Sequence, residues 1–165
     1  MKSKSIIFVF ILQFALIAVM FINAYMVVFF GTEVKVFARG IDPRDLLTGN
    51  YVFLEYEFKK DENITKDFSL SSNKKHFYAL LKDEDQDGIF TLTLSDKKPT
   101  NNELFIISKY ATDDIYASKF GIERYFLPKK EAEDLEKKLT KQKALVSLKV
   151  FNAQARITNL ELVDE

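Results

Sequence analysis

The sequence predicts an α+β fold that is mainly β. One transmembrane helix stands at the N-terminus, followed by one β-rich extracytoplasmic domain with a single surface helix. Three observations carry this. Residues Ile6 to Phe30 form a run of 25 without a charge. Beyond it, short apolar or alternating segments recur between turns containing Gly, Asp, Asn or Pro. Only Pro128 to Leu139 shows helical spacing with opposite charges at i,i+4.

The apolar run comes first. As a helix, its 25 residues would extend about 37 Å at 1.5 Å per residue, against roughly 30 Å of hydrocarbon. Gln13 and Asn23 are its only strongly polar residues, so it lacks the polar stripe of a core helix. It is longer than a secretory apolar core, and it ends in bulky Tyr25, Met26, Val27, Val28, Phe29 and Phe30 rather than small residues. An uncleaved anchor in the lipid bilayer is expected. Lys2, Lys4 and the terminal amine precede it; Glu33, Lys35 and Arg39 follow. The positive-inside rule then makes residues 1–5 cytoplasmic, 6–30 transmembrane and 31–165 extracytoplasmic.

This division resolves the charge balance. The chain has 24 Lys+Arg and 24 Asp+Glu. Lys2 and Lys4 are the only charges before Glu33, so the exported part holds 22 basic and 24 acidic residues, a net of −2. No basic surplus is available for a nucleic-acid partner. Cysteine is absent, which removes disulfides, thiol nucleophiles, thiolate zinc sites and iron–sulfur ligation. His76 is the single histidine, so a Ser-His-Asp triad would have to use it. It opens a strand beside Lys74 and Lys75 and reads as a surface residue. No cofactor is expected.

Within the exported part, Val34–Ala38 reads as a strand leaving the membrane, with only Gly31 and Thr32 as linker, so the domain should sit close to the lipid. Gly40–Asn50 reads as a loop. Tyr51–Phe58 alternates, with Val52, Leu54, Tyr56 and Phe58 on one face and Glu55 and Glu57 on the other. Residues 59–73 are polar and read as a long loop. Lys75–Lys82 and Ile89–Ser95 form a hairpin around Asp83–Gly88. Asp96–Asn102 is a turn, Glu103–Ala111 a strand, and Ile115–Phe120 a weaker strand. Pro128 suits a first helical position, and Ala132, Leu135 and Leu139 make a narrow apolar stripe. Lys143–Phe151 and Ala155–Val163 form a closing hairpin around Asn152, Ala153 and Gln154.

Two stretches suggest chemistry. Asp83, Asp85, Asp87 and Gly88 match the first half of a calcium loop, but the position of the bidentate Glu is Leu94 and the flanks are strand-like. The plain reading is a hairpin turn with exposed acids; the alternative is a cation site outside the EF-hand pattern. The second stretch is Gly40-IDPRDLLTGNYVFLEYEF. Pro43 holds Asp42 extended, Asp42 and Asp45 can bond the local backbone, and Arg44 can fork onto a carboxylate. It reads as a turn stapled by an ion pair, or as a polar recognition surface.

Gly49-Asn50-Tyr51-Val52-Phe53-Leu54-Glu55-Tyr56 resembles the motif of the GDYxxLxY family of bacterial membrane-anchored proteins. Asp42-Pro43-Arg44-Asp45 before it is similar to that family too. So is a second block, Gly121-IERYFLP, with Glu123, Arg124, Tyr125, Phe126 and Pro128. The resemblance covers nearly the whole chain. The family's Asp is Asn50 here, which keeps a hydrogen-bonding side chain and loses a charge. The resemblance implies an integral protein of the bacterial cytoplasmic membrane and, by association, a polytopic membrane-protein partner. It implies no particular activity.

The expected function is therefore that of a non-enzymatic partner or assembly subunit of a membrane protein in the envelope. Its recognition residues would be Asp42, Pro43, Arg44, Asp45, Gly49, Asn50, Tyr51, Leu54, Tyr56, Glu123, Arg124, Tyr125 and Phe126. Three rivals stand beside it. A hydrolase would pair two carboxylates among Asp42, Asp45 and Glu123. A degenerate signal-peptidase-like domain is suggested by the likeness of Asp45-LLTGNYVFLEY to the strand after the nucleophile in type I signal peptidases. The corresponding turn, Ile41 to Asp45, has no serine to activate. A cation-binding module would use Asp83, Asp85 and Asp87.

Overall fold

The computed structural model describes residues 2–41, 51–60, 76–100, 102–109 and 118–163. Helix α1 (Lys2–Phe30) leads directly into strand β1 (Thr32–Ile41). Then come β2 (Tyr51–Tyr56), β3 (Phe58–Lys60), β4 (Tyr78–Lys82), β5 (Thr91–Ser95), β6 (Phe105–Ile107) and β7 (Arg124–Phe126). Helix α2 (Lys129–Leu139) and the hairpin β8 (Lys143–Phe151) and β9 (Gln154–Val163) complete the described chain.

The strands form two sheets, ordered β7-β2-β1-β8-β9 and β3-β5-β4-β6, which curl together as a half-barrel. Period-2 alternation drives this. Val34, Val36 and Ala38 of β1 are buried, as are Val52, Leu54 and Tyr56 of β2 and Ala144, Val146, Leu148 and Val150 of β8. They meet Leu92 and Leu94 of β5, Ala79 and Leu81 of β4 and Ile106 of β6 in one core. Two backbone bonds tie the sheets together: Phe90 N–H donates to Lys35 O (2.7 Å) and Ile107 N–H to Ala153 O (3.0 Å). Asn152 and Ala153, at φ 48° and 61°, make the two-residue turn joining β8 to β9. Left-handed backbone at both positions matches the twist of the flanking strands.

The β-rich fold, the two helices and both hairpins stand as expected; several bounds do not. β1 runs on to Ile41, so Gly40 and Ile41 are paired with Leu54 and Phe53 rather than looped. Gly40 is needed there, because a Cβ would lie 2.6 Å from Leu139 Cβ, where the end of α2 crosses the strand. The expected single strand Tyr51–Phe58 breaks at Glu57, and Phe58–Lys60 joins the second sheet in parallel with β5. The hairpin strands begin later than expected, at Tyr78 and Thr91; of the strand expected over Glu103–Ala111 the described residues form Phe105–Ile107, and Tyr110 and Ala111 lie outside them. Of the weak strand Ile115–Phe120, the described part contributes only a bridge in which Lys109 N–H donates to Lys119 O (2.7 Å). Pro128 stands one residue before α2 with extended backbone (ψ 145°), as its cap. Ala132 and Leu139 bury the expected stripe, with Leu135 packed beside them.

The junction of α1 with the sheet is built, not draped. Val27 is buried against the domain while most of α1 is bare of protein contact. Gly31 N–H donates to Val27 O (3.0 Å), and Lys149 Nζ to Val28 O (2.8 Å). The lysine thereby satisfies a carbonyl at the negative end of the helix. Phe30 packs on Phe151, with ring centroids 6.2 Å apart. Gly31 cannot carry a side chain, since its Cβ would lie 2.2 Å from Val27 O and 3.0 Å from Lys149 Cβ.

Candidate functional site

The far end of β1 holds the two sequence blocks together. β2 pairs with β7, setting Tyr51 opposite Phe126, Val52 opposite Tyr125 and Phe53 opposite Arg124. The contact continues past the ladder. Leu54 N–H donates to Glu123 O (2.9 Å), and the buried Tyr56 hydroxyl donates to Ile122 O (2.8 Å). Burial, and to a lesser degree the Glu123 carboxylate, push the Tyr56 hydroxyl far above the ordinary phenol range. It is a neutral donor, fixed to one carbonyl.

Alternation sorts the motif residues by face. Leu54 and Tyr56 point inward, and Tyr125 packs against the core. Outward stand Tyr51, Phe53, Arg124 and Phe126. The Arg124 guanidinium lies 5.0 Å from the Tyr51 ring centroid and 5.2 Å from that of Phe53. Tyr51 meets Phe53 and Phe126 edge-on at 5.0 and 5.6 Å. Phe126 remains 68% exposed. Each ring holds its neighbour's orientation, so the patch is rigid although open to solvent.

Glu123 does structural work. Its Oε1 accepts from Phe120 N–H (2.5 Å) and its Oε2 from Gly121 N–H (2.9 Å), closing the turn before β7. Of the carboxylates from which a hydrolase would draw its pair, Glu123 has both oxygens engaged by backbone, and Asp42 and Asp45 lie outside the described residues. Gly121 takes φ 86°, which favours glycine, and the Lys109 side chain lies over it. Lys109, Lys119, Gly121, Glu123, Arg124, Phe53 and Phe126 line a cleft of about 500 Å³.

Of the residues singled out from sequence, Tyr51, Leu54, Tyr56, Glu123, Arg124, Tyr125 and Phe126 are thus brought together. Asp42, Pro43, Arg44, Asp45, Gly49 and Asn50 lie outside the described residues. Phe53, Lys109, Lys119 and Gly121 join the site without having been singled out. Phe53 was readable as the outward neighbour of Tyr51; the lysines owe their place to the bridge between distant segments, which leaves no local signal. Asp83, Asp85 and Asp87 sit elsewhere. Asp83 Oδ2 accepts from Gly88 N–H (3.1 Å) and Asp87 Oδ1 from Ile89 N–H (2.8 Å), as a turn requires. Among the described residues no group of three or more His, Cys, Asp or Glu is placed to hold a metal ion.

No curated protein and no solved structure matches the chain. The family described as GDYXXLXY protein matches residues 13–160, from within α1 to near the end of β9. That span includes both blocks and the strands that join them, and the chain belongs to the GDYXXLXY protein family.

Proposed function

We propose that the protein is a single-pass subunit of the bacterial cytoplasmic membrane, non-enzymatic, whose extracytoplasmic domain docks an integral membrane protein through the face built by the two blocks. In this reading residues 1–5 are cytoplasmic, 6–30 span the bilayer and 31–165 are exported. The observation that carries it is the outward cluster Tyr51, Phe53, Arg124 and Phe126. Rigid aromatic rings beside an arginine are the residue types that anchor protein interfaces. Their order costs little on binding, because they already hold one another.

The anchor reading rests on Ile6–Phe30, long and apolar enough to cross a membrane, and on Lys2 and Lys4 before it. The built joint at Gly31 adds support, because a domain packed on its helix end cannot drift from the bilayer. Phe53 pairs with Ile41, ten residues beyond Gly31, so the face lies up to about 33 Å from the joint at 3.3 Å per residue.

Crosslinking in intact membranes tests this. A defined adduct that disappears with Phe126→Ala and with Arg124→Ala is the expected result. An adduct that both variants form as well as the unmodified chain would overturn the docking face.

A further inference from the structure

The cleft beside the docking face has a charge that its neighbours among the described residues leave uncompensated. Three cations, Lys109, Lys119 and Arg124, converge on it. Among the described residues, none of the three makes an ion pair with an acidic side chain; the two such pairs found there are Arg39–Glu57 and Lys59–Glu84. Glu123, the acidic residue in the lining, turns both oxygens to backbone N–H groups. The described lining is thus cationic by two charges, within a domain that is net acidic. A concave surface of one sign focuses its field on whatever enters.

The cations are also placed. Lys109 and Lys119 are joined through their backbones by the 2.7 Å bridge. The Lys109 stem rests on Gly121, whose hydrogen leaves the room a methyl would take. Arg124 is braced by the Tyr51 and Phe53 rings, and Phe126 stands exposed at the rim. Like charges held together without counter-charge weaken a fold by mutual repulsion. The same arrangement binds an anion with little further ordering.

We infer that this cleft takes an acidic peptide segment of the docked partner, with at least two carboxylates against Lys109, Lys119 and Arg124 and an apolar side chain on Phe53 and Phe126. The inference rests on the docking reading and deepens it by naming the partner's chemistry. The bidentate fork of Arg124 suits a carboxylate. The flanking rings suit a chain in which acids alternate with apolar residues.

The test uses the purified full chain in neutral detergent and a fluorescent peptide of alternating glutamate and phenylalanine, read by anisotropy. Saturable binding is expected, weakening steeply between about 0.05 and 0.5 M salt as screening shortens. Lys109→Ala with Lys119→Ala should weaken it by on the order of tenfold or more, and Lys97→Ala, on an exposed turn, should leave it unchanged. No binding at millimolar peptide, or binding indifferent to the two lysines, overturns the inference. Competition by inorganic phosphate stronger than by unlabelled peptide overturns it too, in favour of a small phosphate anion. The docking reading fails separately. If the membrane adduct depends on Phe126 while the lysine pair is dispensable, docking stands and the acidic segment falls. If the adduct ignores Phe126 as well, both fall.

Discussion

The two ends of β1 are finished in opposite ways. At the Gly31 end the Val27 and Val28 carbonyls are taken by Gly31 and Lys149, and Phe30 covers Phe151. At the Ile41 end, Arg124, Lys109 and Lys119 reach a cleft without carboxylate partners among the described residues, and Phe126 is left exposed. One strand thus links a joint whose groups pair within the chain to a face left open among the described residues. Folding accounts for the first end; the docking proposed above would account for the second.

Substitutions on the two faces and ends should separate these roles. Leu54→Ala, on the inward face of β2 and 2% exposed, should cost about 2–5 kcal/mol of stability by opening a cavity. A chemical-denaturation midpoint that did not move would show that the inward half of the motif is not core. Gly31→Val should cost about 1–3 kcal/mol or more, because the last turn of α1 must open to admit the side chain. Protease cleavage at the junction should appear in that variant and not in the unmodified chain.

Tyr56→Phe leaves the Ile122 carbonyl buried without its donor and should cost about 1–3 kcal/mol at neutral pH. The sign of its pH dependence follows from the raised folded-state value. Below about pH 10 the hydroxyl is neutral in both states and its contribution is complete. Above that, the unfolded chain loses the proton while the folded chain keeps it, so stability falls as pH rises. The gap between the unmodified chain and Tyr56→Phe should therefore narrow only on the alkaline side. A gap that widened there would contradict the assignment. Smallest in stability are Phe126→Ala and Arg124→Ala. Exposed side chains with ring contacts of this kind contribute about 0.5–1 kcal/mol, so the thermal midpoint should barely move while docking is lost.

What could be read beforehand follows the range of the forces. Helix α1 was legible because 25 uncharged residues need no context. Helix α2 was legible from Glu133/Lys137 and Asp134/Lys138, and the last hairpin from alternation on both sides of Asn152. β7 was not, since three residues carry no period and Arg124–Phe126 becomes a strand only by pairing with β2. The switch of Phe58–Lys60 into the second sheet was equally hidden, because β5 lies more than thirty residues away in the chain. The site divides the same way. Its motif residues were singled out by their resemblance to the family's two blocks, whereas Lys109 and Lys119 enter through a backbone bridge that no local pattern encodes.

The absence of cysteine makes the central claim directly testable. A single cysteine is placed at Glu55, exposed on the outward face of β2 beside Phe53, or at Arg156, an exposed position opposite Lys149 near the joint. Each variant is treated with a thiol-reactive photocrosslinker in intact membranes. A discrete protein adduct from position 55 and none from position 156 is the result expected. Adducts from both positions alike, or from 156 alone, would contradict the division of the molecule into a closed end and an end completed by a partner.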